Sequence, residues 1–229
     1  MVVNPASYEK NSDMRSNRQT AGTNETLPSD QGPGSRGGER RDRILKAFHD
    51  CIISNGYAKT TLRDVALEAG MTASHLLYYF PGKDAILEHY FDQVAKRIMT
   101  RLESFRDEKP ERQIDLLSDL FFTGNGISRS EIGFMLECFG VAVHDQQLRS
   151  EKTELDRFCK AYLQELFEKS PCGPKNAVDS AEIAYAILIG LRTAAYFDQR
   201  LELTRALRLF HTEMLNLAKF NQEVNRGSK

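Results

Sequence analysis

The chain has 229 residues and a formal net charge of -1, from 31 Lys plus Arg and 32 Asp plus Glu. A balance so close to zero excludes a polycation that holds nucleic acid by bulk charge, so any such partner must be met by a local surface. No stretch reaches about 18 uninterrupted apolar residues, the length of a membrane span, and the 4 cysteines and 5 histidines lack the spacing of a zinc module.

Residues 1–38 are rich in Asn, Ser, Gly, Thr and Gln, and a run such as NETLPSDQGPGSRGG cannot bury enough surface to offset its ordering entropy. A disordered extension is expected there. It carries no apolar run of the kind found in an export signal. Unpaired thiols without an export signal point to a reducing cytoplasm.

Residues 39–100 read as a compact helical head. Its first helix is RDRILKAFHDCIISN, ahead of Gly56-Tyr57. The most informative segment follows at 61–80, TLRDVALEAGMTASHLLYYF. Leu62, Val65, Ala66 and Ala69 recur at helical spacing and give one buried stripe. Thr61 with Asp64 three residues on makes a capping-box start, and Gly70 stands where a left-handed C-cap is needed. Thr72 caps a second short helix, which Leu76 and Phe80 anchor to the core. Ala73, Ser74, His75, Tyr78 and Tyr79 are left on its outer face. This is the pattern of a helix-turn-helix, whose second helix enters the major groove by its N-terminal residues. A helical hairpin whose tyrosines pack on a neighbouring helix fits the same spacing.

Over Arg40 to Lys96 the chain resembles the DNA-binding domain of TetR-type transcriptional regulators. The resemblance rests on RDRILKAFHDCIISNGYAKTTLRDVA and EAGMTASHLLYYFPGKDAILEHYF, which match the family's first helix, glycine turn, short reading helix, aromatic-Pro-Gly-Lys corner and fourth helix. It implies that Ala73 to Tyr79 read the major groove, that Thr61 meets a backbone phosphate, and that Lys83 at the start of the fourth helix meets another. Where the family usually has a tyrosine after the buried leucine of the reading helix, this chain has Leu77, so either Tyr78 or Tyr79 takes that phosphate. Thr72, Ser74 and His75 complete the expected DNA surface, with Arg63 beside it. Over residues 40–100 there are nine basic and seven acidic side chains, a weak electrostatic footprint. The cluster Arg40, Arg41 and Arg43 lies either at the duplex or on a solvated helix start.

The body, 101–220, is helical by pattern. A long fourth helix carries Ile86, Leu87, Tyr90, Phe91, Val94, Ile98 and Leu102, and further helices are predicted at 111–123, 129–145, 150–169, 178–197 and 201–220. Residues 221–229 are expected to form a flexible tail. The expected fold class is therefore all-α, a three-helix helix-turn-helix head on a larger helical effector-binding and dimerisation domain. AEIAYAILIGLRTAAYFD is apolar almost all round, and the last helix carries Leu203, Leu207, Phe210, Met214, Leu217 and Phe220 on one stripe. The resemblance implies a homodimer through these two helices, bound to a palindromic double-stranded operator.

The resemblance also implies a cavity for a small-molecule effector between head and interface. Candidate lining residues are Phe134, Met135, Cys138, Phe139, His144, Phe158, Tyr162 and Tyr185, an apolar and aromatic set that suits a lipophilic ligand. No phosphate-cradling glycine loop or GxSxG elbow is present, so neither an enzyme nor a cofactor or metal is expected. Cys138 with Cys159 reads as two inert buried thiols before a redox pair. Two functions from different classes remain, a ligand-released repressor and a DNA-bound scaffold that uses its body to hold a protein partner.

Overall fold

A computed structural model describes residues 36–124, 126–171, 174–198 and 200–220. The extension expected over 1–35 and the tail expected over 221–229 lie outside the described residues, as do Asn125, Cys172, Gly173 and Gln199. Nine helices follow one another among the described residues, with no strand. They are α1 (Arg36–Asn55), α2 (Leu62–Glu68), α3 (Ala73–Tyr79), α4 (Lys83–Glu103), α5 (Pro110–Phe122), α6 (Arg129–Ala142), α7 (Gln146–Glu168), α8 (Pro174–Phe197) and α9 (Leu203–Leu217).

Helix boundaries follow the local chemistry of the ends. α1 begins at Arg36, so residues 36–38, expected in the extension, are helical. α6 stops at Ala142 rather than 145, because Asp145 leaves that helix to cap the next one, its side chain accepting from Leu148 N at 2.8 Å. α7 therefore starts at Gln146, four residues before the expected position. α8 begins at Pro174, where a missing N–H costs nothing in a first helical turn. α9 ends at Leu217, and Lys219 turns the chain with φ 60°.

In the head α1 packs on α2 and α4, and α2 on α3, while α6 and α7 of the body also pack on α4. At 21 residues α4 spans about 31 Å, enough to enter both layers. Phe91, Val94, Ile98 and Leu102 on its inner face belong to one continuous core that also holds Phe48 of α1 and Phe167 of α7. In the body α7 lies along α8, and α9 packs on both α5 and α8.

One buried polar group ties the body's corner together. Gln113 on α5 donates from Nε2 to the Glu108 carbonyl at 2.7 Å and the Arg106 carbonyl at 3.3 Å, while its Oε1 accepts from the Tyr162 hydroxyl at 2.7 Å. Both side chains are buried, so the amide caps the chain leaving α4 and locks it to α7. Replacing Gln113 with Leu strands a hydroxyl and two carbonyls and should cost about 2–3 kcal/mol of stability. Tyr162→Phe should cost about 1 kcal/mol. Urea unfolding of the two variants beside the parent checks both values, and an unchanged midpoint for Gln113→Leu would refute this account of the corner.

Candidate nucleic-acid interface and body cavity

The helix-turn-helix is set by its own short-range hydrogen bonds. Thr61 Oγ1 accepts from Asp64 N at 3.2 Å, and the Asp64 carboxylate accepts from Thr61 N at 3.0 Å, closing a capping box at the start of α2. The Thr61 hydroxyl also donates to the Asp64 carboxylate at 2.6 Å, and this bond, with the one from Thr61 N, holds the Asp64 carboxyl below its ordinary value. At the other end, Gly70 N donates to Leu67 O at 3.0 Å and Met71 N to Ala66 O at 2.9 Å. That is a Schellman turn, and Gly70 takes the left-handed φ of 64° it requires. Thr72 then caps α3, accepting from His75 N at 3.1 Å. Val65, Ala66, Ala69, Leu76 and Phe80 are all buried, as their spacing predicts.

That burial fixes which side of α3 faces outward. Thr72, Ala73, Ser74, His75, Leu77 and Tyr78 are exposed, and Tyr78 is 69% exposed. Tyr79 is half-buried, and its hydroxyl accepts from Arg40 Nη1 at 3.1 Å. The same contact raises the Arg40 pKa. The two tyrosines thus differ: Tyr79 braces α3 against α1, and Tyr78 presents a free ring edge-on to it, with centroids 5.2 Å apart. His75 lies on the other side of Tyr79, centroids 5.5 Å apart. No acidic side chain occurs from Ala69 to Gly82, so the face carries no charge that repels phosphate. Arg63 is exposed on the adjoining helix.

Lys83 is more embedded than its sequence context implies. Its Nζ donates to Tyr57 O at 2.9 Å and Thr60 O at 3.1 Å, and sits 4.1 Å from the Tyr57 ring centroid. The ammonium therefore secures the α1–α2 corner to α4, while Gly82 begins that helix with no side-chain cap. Tyr57 is the other half of this joint. Its hydroxyl donates to Asp84, and its backbone N–H donates to the Glu137 carboxylate on α6 at 3.0 Å. Burial and the Asp84 bond push the Tyr57 phenol well up. Beside it, Phe134 of α6 lies 4.2 Å from Tyr90, 5.6 Å from His49 and 6.2 Å from Phe48, ring centre to ring centre. Head and body meet through this aromatic cluster.

In the body, a cavity of about 40 Å³ lies among α4, α5, α6, α7 and α8. Met135, Phe139 and Tyr185 line it as expected, with Ile98, Phe121, Ile132, Leu155 and Leu188. The other candidates lie elsewhere. Phe134 is consumed by the head–body cluster, Tyr162 by Gln113, and Cys138 is sealed in the core. Phe158 sits beside the Arg106 guanidinium, 6.0 Å from it. His144 lines a separate open groove of about 640 Å³, where the end of α1 faces α6 and the end of α8. Helical spacing separates buried from exposed residues, but it does not say which buried side chains border a void.

The polar lining of the cavity escaped sequence reasoning. Asp156 accepts from the Tyr185 hydroxyl and pairs with Lys152. Cys159 also faces the cavity, and burial pushes its thiol up to about 12, so it carries no thiolate character. Arg192 reaches in from α8, 5.4 Å from the Phe121 ring. Its Nε and Nη2 are buried and have no hydrogen-bond partner among the described residues. Burial pulls this guanidinium down to about 10, against the weaker opposing pull of Tyr185, Glu131 and Cys159.

Residues 44–90 match the family model for bacterial regulatory proteins of the tetR family. The regulator BetI 1 of Chromohalobacter salexigens is 26% identical over 175 residues, covering 74% of this chain and 86% of that protein. RutR of Escherichia coli K12 is 32% identical over 69 residues, covering 30% of this chain and 32% of RutR. Among solved structures, a transcriptional regulator from Rhodococcus sp. Rha1 shares the fold at a TM-score of 0.70 and 16% identity, covering 78% of this chain and 96% of that one. A protein from Saccharomonospora viridis, solved in complex with choline, does so at 0.67 and 19%, covering 78% and 96%. Residues 44–90, the capped helix-turn-helix head, thus belong by sequence to the tetR family of bacterial regulatory proteins, and the helical body that follows shares the fold of solved transcriptional regulators.

Proposed function

We propose that this chain is a homodimeric repressor that reads a palindromic operator with two copies of α3 and leaves it when a small effector enters the body. The observation that carries the reading is the outer face of α3. An exposed tyrosine, a histidine and two small hydroxylated residues are held rigidly by caps at both helix ends and a buried Leu76 beneath. Such a face suits base edges and phosphates, which take hydrogen bonds from Ser, Thr, His and Tyr. Within it, Ala73, Ser74, His75 and Tyr78 meet the duplex directly, and Thr61, Arg63 and Thr72 approach its backbone. Tyr79 and Lys83 act mainly by holding α3 and the α1–α2 corner in place.

Dimerisation is supported by α8. Ile183, Ala186, Gly190, Ala194 and Phe197 are exposed at intervals of three or four residues, so one face of this helix is apolar along its length. A second copy, packed by its own α8 and α9, would cover it, and the small residues allow close approach. Two reading helices could then meet successive major grooves about 34–36 Å apart. The body cavity favours ligand sensing over the scaffold reading, which needs no space inside the body.

The primary test is a mobility shift with the DNA upstream of the protein's own gene, against a shuffled competitor at fixed salt. Specific retention of a palindromic segment is expected; binding the competitor equally well would overturn the reading. Arg63→Ala should weaken binding to all sequences alike and flatten the log K against log salt slope by about 1. His75→Ala should instead relax preference at one base pair, by about 1–3 kcal/mol. Ile183→Glu should yield a folded monomer in sedimentation velocity that no longer retains the palindrome. A dimer that persists in this variant would place the interface elsewhere.

A further inference from the structure

The body cavity contains an imbalance that its apolar lining does not explain. Two carboxylates lie near Arg192, Asp156 in the same wall and Glu131 close enough to act on its charge, and each is already paired. Asp156 is bound by Lys152 and by the Tyr185 hydroxyl. Glu131 is bound by Arg97 and by the Ser128 backbone N–H. The Arg192 guanidinium remains, lying over the Phe121 ring, with two buried nitrogens that lack an acceptor among the described residues. An uncompensated buried cation is among the most costly features a core can hold, and replacement by an apolar side chain is ordinarily neutral or stabilising. Its presence in a cavity wall calls for an anion.

We propose that the effector is a small amphipathic carboxylic acid, whose carboxylate is bound by Arg192 and whose hydrocarbon part lies against Phe121, Met135 and Phe139. The inference rests on the effector-sensing reading above and names the ligand class. A planar guanidinium with two free N–H groups takes a carboxylate in the two-bond geometry that a lysine cannot offer. The rest of the wall is mainly apolar, with Asp156 and Tyr185 bound to each other, so a hydrophilic anion such as inorganic phosphate or citrate leaves it unsatisfied. A quaternary ammonium is also excluded, because the one carboxylate in the wall is occupied and the free charge is positive.

The cavity's size links binding to the head. At about 40 Å³ it takes little more than one water-sized group, so an acid of several carbons must be accommodated by displacement of a wall. α6 supplies that wall with Ile132, Met135 and Phe139, and the same helix carries Phe134, which packs on α1, and Glu137, which holds the α1–α2 corner at Tyr57. A ligand that favours the widened state therefore shifts α6 against the head, in proportion to its differential affinity for the two states.

The test uses purified full-length protein and a matched probe series: hexanoate, octanoate and decanoate, with 1-octanol and choline as controls. Binding is followed by calorimetry and thermal shift. Octanoate is expected to bind about tenfold or more tighter than 1-octanol, with no heat or shift from choline. Arg192→Met should abolish that difference and should melt above the parent when no probe is added, since the stranded charge is gone. Arg192→Lys keeps the charge but loses the fork, and should retain only part of the preference. Equal binding of acid and alcohol, a preference that survives in Arg192→Met, binding of choline alone, or no binding by any probe would each overturn the proposal. The palindrome mobility shift tests the regulator reading separately, since retention of DNA requires no ligand. Octanoate should release that DNA from the parent but not from Arg192→Met.

Discussion

The packing of Phe134 governs how the two halves of this protein stand to one another. Its ring is fully buried among Phe48 and His49 of α1 and Tyr90 of α4, so three helices share one aromatic contact. Aromatic rings at these separations interlock in a few discrete arrangements and do not slide continuously. The bond from Tyr57 N to Glu137 adds a directional constraint at the neighbouring position of the same helix. The orientation of α3 relative to the body thus follows from where α6 lies.

That arrangement gives α6 two duties on opposite faces. One face holds the head through Phe134 and Glu137, and the other borders the cavity through Ile132, Met135 and Phe139. A helix placed this way transmits displacement without a chain of intermediates, because it is itself the shared wall. Gly133 marks how closely it is set against α8: a Cβ there would lie 2.5 Å from the Tyr196 hydroxyl oxygen. The helix can shift only if this contact shifts too, which favours two distinct packings over a graded movement.

Electrostatics are local throughout. The head has little surplus charge, and several of its carboxylates are engaged away from α3: Asp50 with Lys46, Asp64 with Thr61, Asp84 with Tyr57 and Asp92 with Lys96. The face around α3 is left free of negative charge by placement rather than by composition. In the body, the same economy of pairing isolates Arg192 as the one cavity cation whose buried nitrogens lack a partner among the described residues.

The sequence by itself determined the elements whose causes lie within four residues along the chain. The Thr61–Asp64 box, the Gly70 turn, the Thr72 cap and the stripe of Val65, Ala66, Leu76 and Phe80 are all short-range, so spacing alone reveals them and with them the exposed face of α3. It also marked α8 as a helix with more apolar surface than one chain covers. Only the tertiary structure decided which tyrosine is free, since the bond from Arg40 to Tyr79 joins residues 39 apart. It likewise turned Lys83 inward, and moved Phe134 and Tyr162 from the expected cavity wall into structural roles. Burial of an aromatic can be read from periodicity, whereas a void and an unpaired guanidinium arise from the relative rotation of five helices, which no local pattern encodes.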